Sequence, residues 1–240
     1  YTVTYNPGTY GTGSQVTDSK THNAALTLKG PIFTRNGYTQ TGWTTTNGGD
    51  KAYNLNGTYT DNRNITLYPV WTPRSYTVSY NPGTYGTGSQ VTDSKIYDVE
   101  LALKGAIYTR EGYTQTGWAT SNGGSKAYEL NGSYTSNTSR TLYPFWTINK
   151  YAVNLPAGTG YTITVQGGSS SPVTHGGSFS FAIAVDNGYI KGNDFAVKAN
   201  GVTLAENSGV YTITNITQTQ TLTVEGVEED IILPTPTPEP

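Results

Sequence analysis

Tyr1-Thr2-Val3-Thr4-Tyr5-Asn6-Pro7-Gly8 returns as Tyr76-Thr77-Val78-Ser79-Tyr80-Asn81-Pro82-Gly83. In each stretch the large residues stand at alternate positions: Tyr1, Val3 and Tyr5, then Tyr76, Val78 and Tyr80. Successive side chains of a strand point to opposite faces, so this period of two predicts a half-buried strand. Asn-Pro-Gly ends it, because Pro brings no N–H to a ladder and Gly tolerates positive φ. Extended outward, Tyr1–Ser75 aligns with Tyr76–Lys150 without a gap, and 52 of the 75 positions are identical. Such self-similarity marks repeat architectures. A reaction centre is built once, whereas a long or multiply presented surface is built by copying, so the pattern points to a structural or adhesive array.

The rest of each copy reads as further strands. Ala25-Leu26-Thr27-Leu28 alternates again and stops at Gly30-Pro31. Gly37 to Trp43 reads as a strand anchored by Tyr38 and Trp43, with turns at Asn36-Gly37, Glu111-Gly112 and Asn47-Gly48-Gly49. Ile65 to Trp71 is the last strand, and Pro69 inside it predicts an edge position or a bulge. One short helical turn per copy is allowed, placed near residues 29–36 and 104–111.

From Tyr151 the repeat breaks. Strands are predicted over Tyr151–Leu155, Tyr161–Val165, Ser178–Val185, Phe195–Ala199, Val210–Ile216 and Thr221–Val224. Six or seven short strands with turn signals every 8–12 residues suggest a β-sandwich. The expected organisation is therefore mainly β: repeat modules over 1–75 and 76–150, an Ig-like sandwich over 151–227, and a Pro/Thr-rich linker over 228–240. Alternate prolines at Pro234, Pro236, Pro238 and Pro240 predict an extended spacer. The joints near residues 72–75 and 147–150 are short, which limits bending.

Composition narrows the function. Net charge is −2 and no basic stripe exists, so nucleic acid finds no electrostatic footprint. No apolar run approaches the ~20 residues of a membrane span. Cys is absent, which excludes a disulfide framework and thiol chemistry. Cys-free, Thr-rich strands with a Pro/Thr tail fit an exported bacterial protein. Tyr1 opens directly in a strand, so a piece of a longer protein is expected.

Reactive groupings are sparse. His22 and His175 lie in different units, and Tyr97 replaces His22 in the second copy, so no metal site and no cofactor are expected. Asp186-Asn187-Gly188 and Asn193-Asp194 suit turns better than a calcium loop. No Gly-x-Ser-x-Gly elbow is present. Of the first copy's acids only Asp18 has an acidic counterpart, Asp93, so a repeated glycosidase pair is not supported. Gly8 to Gly13 lacks the Lys-Ser/Thr of a phosphate loop and reads as a flexible loop. Tyr10 and Tyr85 stand in these glycine-rich loops with no strand to hide them, which makes them the candidate ligand contacts. Their run, Asn6 to Lys20, is identical to Asn81 to Lys95, as either a functional loop or a recent duplication would leave it. Trp43, Trp71, Trp118 and Trp146 are expected in the cores. Lys198, Asn200 and Glu206 supply the residue types of a Lys–Asn isopeptide link, although Lys198 alternates away from Phe195 and Val197.

Each copy also resembles a Listeria–Bacteroides repeat, the B-repeat type of internalin surface proteins. The resemblance rests on the opening Tyr-Thr-Val-Thr-Tyr, then Arg35-Asn36-Gly37-Tyr38, Gly42-Trp43, Gly48-Gly49 and Leu67-Tyr68-Pro69-Val70-Trp71-Thr72. The second copy carries Arg110-Glu111-Gly112-Tyr113, Gly117-Trp118, Gly123-Gly124 and Leu142 to Thr147. Gln40 and Gln115 stand where the family usually has an aromatic, and Pro69 and Pro144 where Ala is usual. The resemblance implies a β-grasp-like module, extracellular, on a bacterial surface or secreted, with no enzymatic activity. The function expected is that of a stalk, an adhesion unit or a protein-interaction module, acting as a monomer on a protein or glycan partner. The alternative is a carbohydrate-binding accessory region of a larger extracellular enzyme.

Overall fold

A computed structural model describes residues 1–231. The Pro/Thr run from Leu233 lies outside the described residues. The chain forms two compact units, the first of Tyr1–Thr84, Ser89–Ile107 and Gly117–Pro144, the second of Tyr85–Gly88, Tyr108–Thr116 and the chain from Phe145 on. The described residues form strands and no helix, so the mainly-β class is borne out.

The first repeat contributes β1 (Thr2–Tyr5), β2 (Val16–Ser19), β3 (Leu26–Thr27), β4 (Tyr38–Thr44), β5 (Thr58–Tyr59) and β6 (Ile65–Pro73). Its sheet runs β2-β1-β6-β4, with β3 and β5 paired apart from it. β1 is antiparallel to β2 but parallel to β6, Val3 facing Ile65 and Tyr5 facing Leu67. The second repeat contributes β7 (Ser75–Tyr80), β8 (Val91–Ile96), β9 (Leu101–Ala102), β10 (Tyr113–Ala119), β11 (Lys126–Tyr128), β12 (Ser133–Tyr134) and β13 (Arg140–Ile148). It repeats the order as β11-β10-β13-β7-β8, with β9 and β12 paired.

The alternation read at the start of each copy fills the cores. Val3 and Tyr5 are buried with Leu28, Phe33, Trp43, Tyr59 and Leu67. The Tyr5 and Trp43 rings sit 4.8 Å apart at 58°, and Tyr80 and Trp118 repeat both values. Each indole N–H donates to a backbone carbonyl at 2.8 Å, Trp43 to Lys29 and Trp118 to Lys104. The buried polar tip of the ring is thereby satisfied. Trp71 packs against the core of its repeat but, like Trp146, is only half-buried. They lie near the ends of β6 and β13, beyond the buried Leu67 and Pro69 and their counterparts Leu142 and Pro144.

Two expectations are corrected. No helical turn forms over 29–36 or 104–111. A helix would direct these N–H groups to carbonyls four residues back. Instead the Ile32 and Phe33 N–H groups donate to Gln40 Oε1 at 3.1 and 3.2 Å, and Thr34 pairs with Thr12. Tyr108 N–H donates likewise to Gln115 Oε1, and Thr109 pairs with Thr87. The glutamines at the aromatic position of the resemblance thus hold this segment. Pro69, for its part, lies on a strand between two others. It is tolerated because β1 has already ended there, and the facing Trp43 sends its N–H and carbonyl to Tyr53. The bulge falls on β4, between Gln40 and Gly42.

Two lysines are buried, Lys20 and Lys95. Lys20 Nζ donates to Thr21 O and Asn62 Oδ1 at 2.9 and 3.2 Å, and Lys95 Nζ to Ile96 O and Asn137 Oδ1 at 2.8 and 3.0 Å. The same amides reach on: Asn62 Nδ2 donates to Asn23 Oδ1 and Asn137 Nδ2 to Asp98 Oδ1. Asn23 and Asp98 are both at positive φ, a backbone region that Asn and Asp enter more readily than most residues.

After Tyr151 the strands fall close to where alternation placed them. They are β14 (Lys150–Tyr151), β15 (Val153–Asn154), β16 (Tyr161–Gln166), β17 (Val173–Thr174), β18 (Gly177–Val185), β19 (Tyr189–Ala199), β20 (Val202–Thr203), β21 (Glu206–Asn207), β22 (Val210–Ile216) and β23 (Gln220–Glu229). Two four-stranded sheets run β15-β23-β19-β20 and β16-β18-β22-β21, and β14 pairs with β17. Phe179, Phe181, Val197, Tyr211, Ile213 and Leu222 are part of their common core.

Candidate functional site

The Asn6–Gly13 loop is pinned rather than flexible. Gly8 N–H donates to Asn6 Oδ1 at 2.9 Å and Gly11 N–H to Pro7 O at 3.1 Å. Asn47, in the turn after β4, accepts from Thr9 N–H and donates to Thr9 Oγ1 at 2.6 Å. A side chain at Gly8 would collide with the Asn47 amide, so glycine is required there. The Thr12–Thr34 bridge then holds the loop beside Arg35.

These constraints place Tyr10 on a cation. The Arg35 guanidinium lies 4.6 Å from the Tyr10 ring centroid and 3.6 Å from that of Tyr38. Ring faces carry negative quadrupole density, so both distances fall within cation–π range. Tyr10 remains 63% exposed. Beside the stack opens a cavity of about 250 Å³, lined by Tyr10, Arg35, Asn47, Pro69, Val70 and Trp71 among others. The second repeat rebuilds the stack: Arg110 lies 4.5 Å from Tyr85 and 3.6 Å from Tyr113, and Tyr85 is again 63% exposed. Neither arginine is ion-paired among the described residues. Each site therefore offers a planar fan of N–H donors framed by aromatic faces, suited to a carboxylate or sulfate oxygen and to a flat ring.

Tyr10 and Tyr85 are thus exposed as expected, but the residues that organise them were not singled out as site residues. Arg35 and Arg110 entered only as parts of a motif, and Trp71 as core. A signal was present: Arg and Tyr of Arg-x-Gly-Tyr persist in both copies while the residue between Arg and Gly changes from Asn36 to Glu111.

The other groupings do not converge. Asp18 and Asp93 pair with Lys29 and Lys104, each at 2.9 Å. Lys198 pairs with Glu225 at 2.6 Å, Glu206 with Lys191 at 3.2 Å, and the Asn200 side chain bonds Thr219 O and Thr221 N–H. Lys198, Asn200 and Glu206 are therefore each engaged elsewhere. Tyr211 also donates to Glu206 at 2.9 Å. That bond and Lys191 hold the Glu206 carboxyl below the usual carboxylate range. Among the described residues no group of three or more His, Cys, Asp or Glu gathers. His22 Nδ1 and His175 Nδ1 each lie 3.3 Å from a tyrosine hydroxyl, of Tyr1 and Tyr151 respectively.

The Listeria-Bacteroides repeat domain matches residues 1–70 and again 76–144, together more than half of the chain. The chain belongs to this family. Both matched spans contain a complete Tyr–Arg–Tyr stack. Among similar proteins, a "Putative Gly-rich membrane protein" of Evansella cellulosilytica is 29% identical over 142 residues, covering 55% of this chain and 16% of that protein. A "Putative membrane protein" of the same organism is 28% identical over 126 residues, covering 51% of this chain and 18% of its own length. The stretch shared with this Listeria-Bacteroides repeat chain thus spans less than a fifth of either relative. Among the described residues no helix is long and apolar enough to cross a membrane.

Proposed function

We propose that this chain is a non-enzymatic segment of a bacterial cell-surface or secreted protein, in which the two repeats act as a stalk and adhesion unit. Each repeat presents one Tyr–Arg–Tyr stack to a protein or glycan partner that bears acidic groups. The observation that carries this reading is the duplication of the stack at matching distances, with Tyr10 and Tyr85 equally exposed. Family membership supports it, as do two relatives whose names place them with membranes. The domain limits 1–75, 76–150 and 151–227 belong to the same proposal.

Two equal sites on one chain bind a multivalent surface by avidity, which can exceed single-site affinity by ~10²-fold. Binding of the chain to arrayed acidic and neutral glycans and to acidic peptides tests the reading. Retention on acidic probes is expected, weakened at least ~10-fold by Tyr10→Ala alone, which forfeits most of the avidity, and further by Tyr10→Ala with Tyr85→Ala. Retention that survives Arg35→Ala with Arg110→Ala would sink the role given to the arginines.

The half-buried Trp71 in the cavity wall favours one second reading, a carbohydrate-binding accessory region of a larger extracellular enzyme. Indole and phenol faces stack on sugars without needing charge. Binding to neutral glycans that is lost in Tyr10→Ala with Tyr85→Ala, yet kept without the arginines, would select it.

A further inference from the structure

The Arg-x-Gly-Tyr turn of each repeat is also a seat for a ring. In the first compact unit, the Tyr97 ring lies directly on Gly37, where any Cβ would collide with it. Asn36 Nδ2 donates to Tyr97 Oη at 3.0 Å, and the Tyr38 and Tyr97 rings meet edge to face at 5.7 Å. The linker residue Arg74 completes the joint: its N–H donates to Gly37 O and its carbonyl accepts from Tyr97 N–H, both at 2.9 Å.

The second compact unit holds the same joint built from other residues. The His175 ring covers Gly112. Asn149 N–H donates to Gly112 O at 2.9 Å, and Asn149 O accepts from His175 N–H at 2.8 Å. The register matches as well: Ser75 pairs with Ile96 just before Tyr97, and Lys150 pairs with Thr174 just before His175. Residues 151 onward do not repeat the first two copies, yet they rebuild this contact with the ring that comes after Thr174.

One more ring of this kind exists. His22 occupies the position of Tyr97 and packs against Tyr1 at 6.1 Å between centroids, as His175 packs against Tyr151 at 5.9 Å. Tyr97 and His175 are half-buried in their joints, whereas His22 is exposed.

We propose that the Tyr1–His22 face is a docking surface, and that its partner is the Arg-x-Gly-Tyr turn of a further repeat joined in line ahead of Tyr1. In-line connection is specified because two of the bonds in both filled joints pass through the linker residue. The inference is independent of what the Tyr–Arg–Tyr stacks bind.

The test compares this chain with one in which a further copy of residues 1–75 is fused directly before Tyr1. In the extended chain the His22 amide gains a linker carbonyl, and its hydrogen exchange is expected to slow at least ~10-fold, as protection follows local opening. Gly37→Val in the added copy should return the rate to that of the original chain. An unchanged His22 rate on extension would overturn the proposal. Because Gly37→Val could unfold the added copy, His22→Ala provides a second readout. It should lower the thermal midpoint of the extended chain by more than that of the original chain, where it removes only the Tyr1 contact, and equal shifts in both would overturn the proposal. Concentration-dependent association of the original chain that His22→Ala abolishes would also overturn it, in favour of a second molecule.

Discussion

The first and second repeats agree in the Tyr–Trp pair of the core and in the arginine stack, and differ most in one short segment after the second strand. Tyr5–Trp43 and Tyr80–Trp118 have the same separation and tilt, and the two arginine stacks agree within 0.1 Å. Residues 21–25 and 96–100, by contrast, share no identity. That short segment carries Tyr97, the ring that meets the Gly37 turn, or the exposed His22 at the same position, and Asn23 or Asp98, which closes the buried-lysine network. Packing resists substitution because a core at crystal-like density feels even one methylene. A ring on a glycine demands only a flat face, so imidazole and phenol both serve. The comparison separates what makes a module from what links one module to the next.

Breaking the cores should produce the largest effect. Trp43→Ala and Trp118→Ala should each cost about 3–5 kcal/mol, since a fully buried indole leaves a cavity as well as losing its transfer energy. Denaturant unfolding should give values for the two within ~0.5 kcal/mol of each other, because independent sites with the same surroundings should behave alike.

Alkaline pH probes the same pairing more gently. Burial pushes the Tyr5 and Tyr80 hydroxyls up to about 12 from 10.0, and Tyr211 likewise. A folded-state value above the unfolded one means the neutral form is favoured by folding. This contribution is full below pH 10 and is lost as the pH rises toward 12. Thermal midpoints should therefore hold steady up to about pH 10 and fall beyond it, and Tyr5→Phe with Tyr80→Phe should shrink the fall while Tyr211 preserves part of it. A fall beginning near neutrality would refute this account.

The smallest effect belongs to the substitution that makes the second network resemble the first. Asp98→Asn exchanges a charge-assisted acceptor for a neutral one, yet Asn suits the positive φ at this exposed position. The net change should stay within ~0.5 kcal/mol in a denaturant midpoint series.

Much of this was legible in the residues. Period-two alternation located β1, β7 and most strands after Tyr151, because one buried face imposes it. The gapless repeat disclosed two modules. Tyr10 and Tyr85 could be marked as exposed because no strand periodicity covers them. Residues 29–36 misled because the Ile32 and Phe33 N–H groups are satisfied by Gln40, a side chain beyond the next turn, and the Thr34 N–H by Thr12, and no local pattern shows partners at that distance. The half-burial of Trp71 was not legible for a related reason: alternation assigns a face but not the depth along a strand at which the core ends. Arg35 escaped notice as a site residue because its partners come from two separate turns, which only the Thr12–Thr34 bridge brings together.

β1 pairs in parallel with β6, the last strand of its own repeat, and only Arg74 separates β6 from the nearly identical strand β7. A parallel partner needs a crossover of a dozen or more residues, so β7 cannot displace β1 from β6 however similar the two are. The competitor left to β6's place beside β1 is β13, which leaves the ribosome about 75 residues later. Order of synthesis therefore guards twin modules against exchanging strands, a protection that chemical refolding of the intact chain would remove.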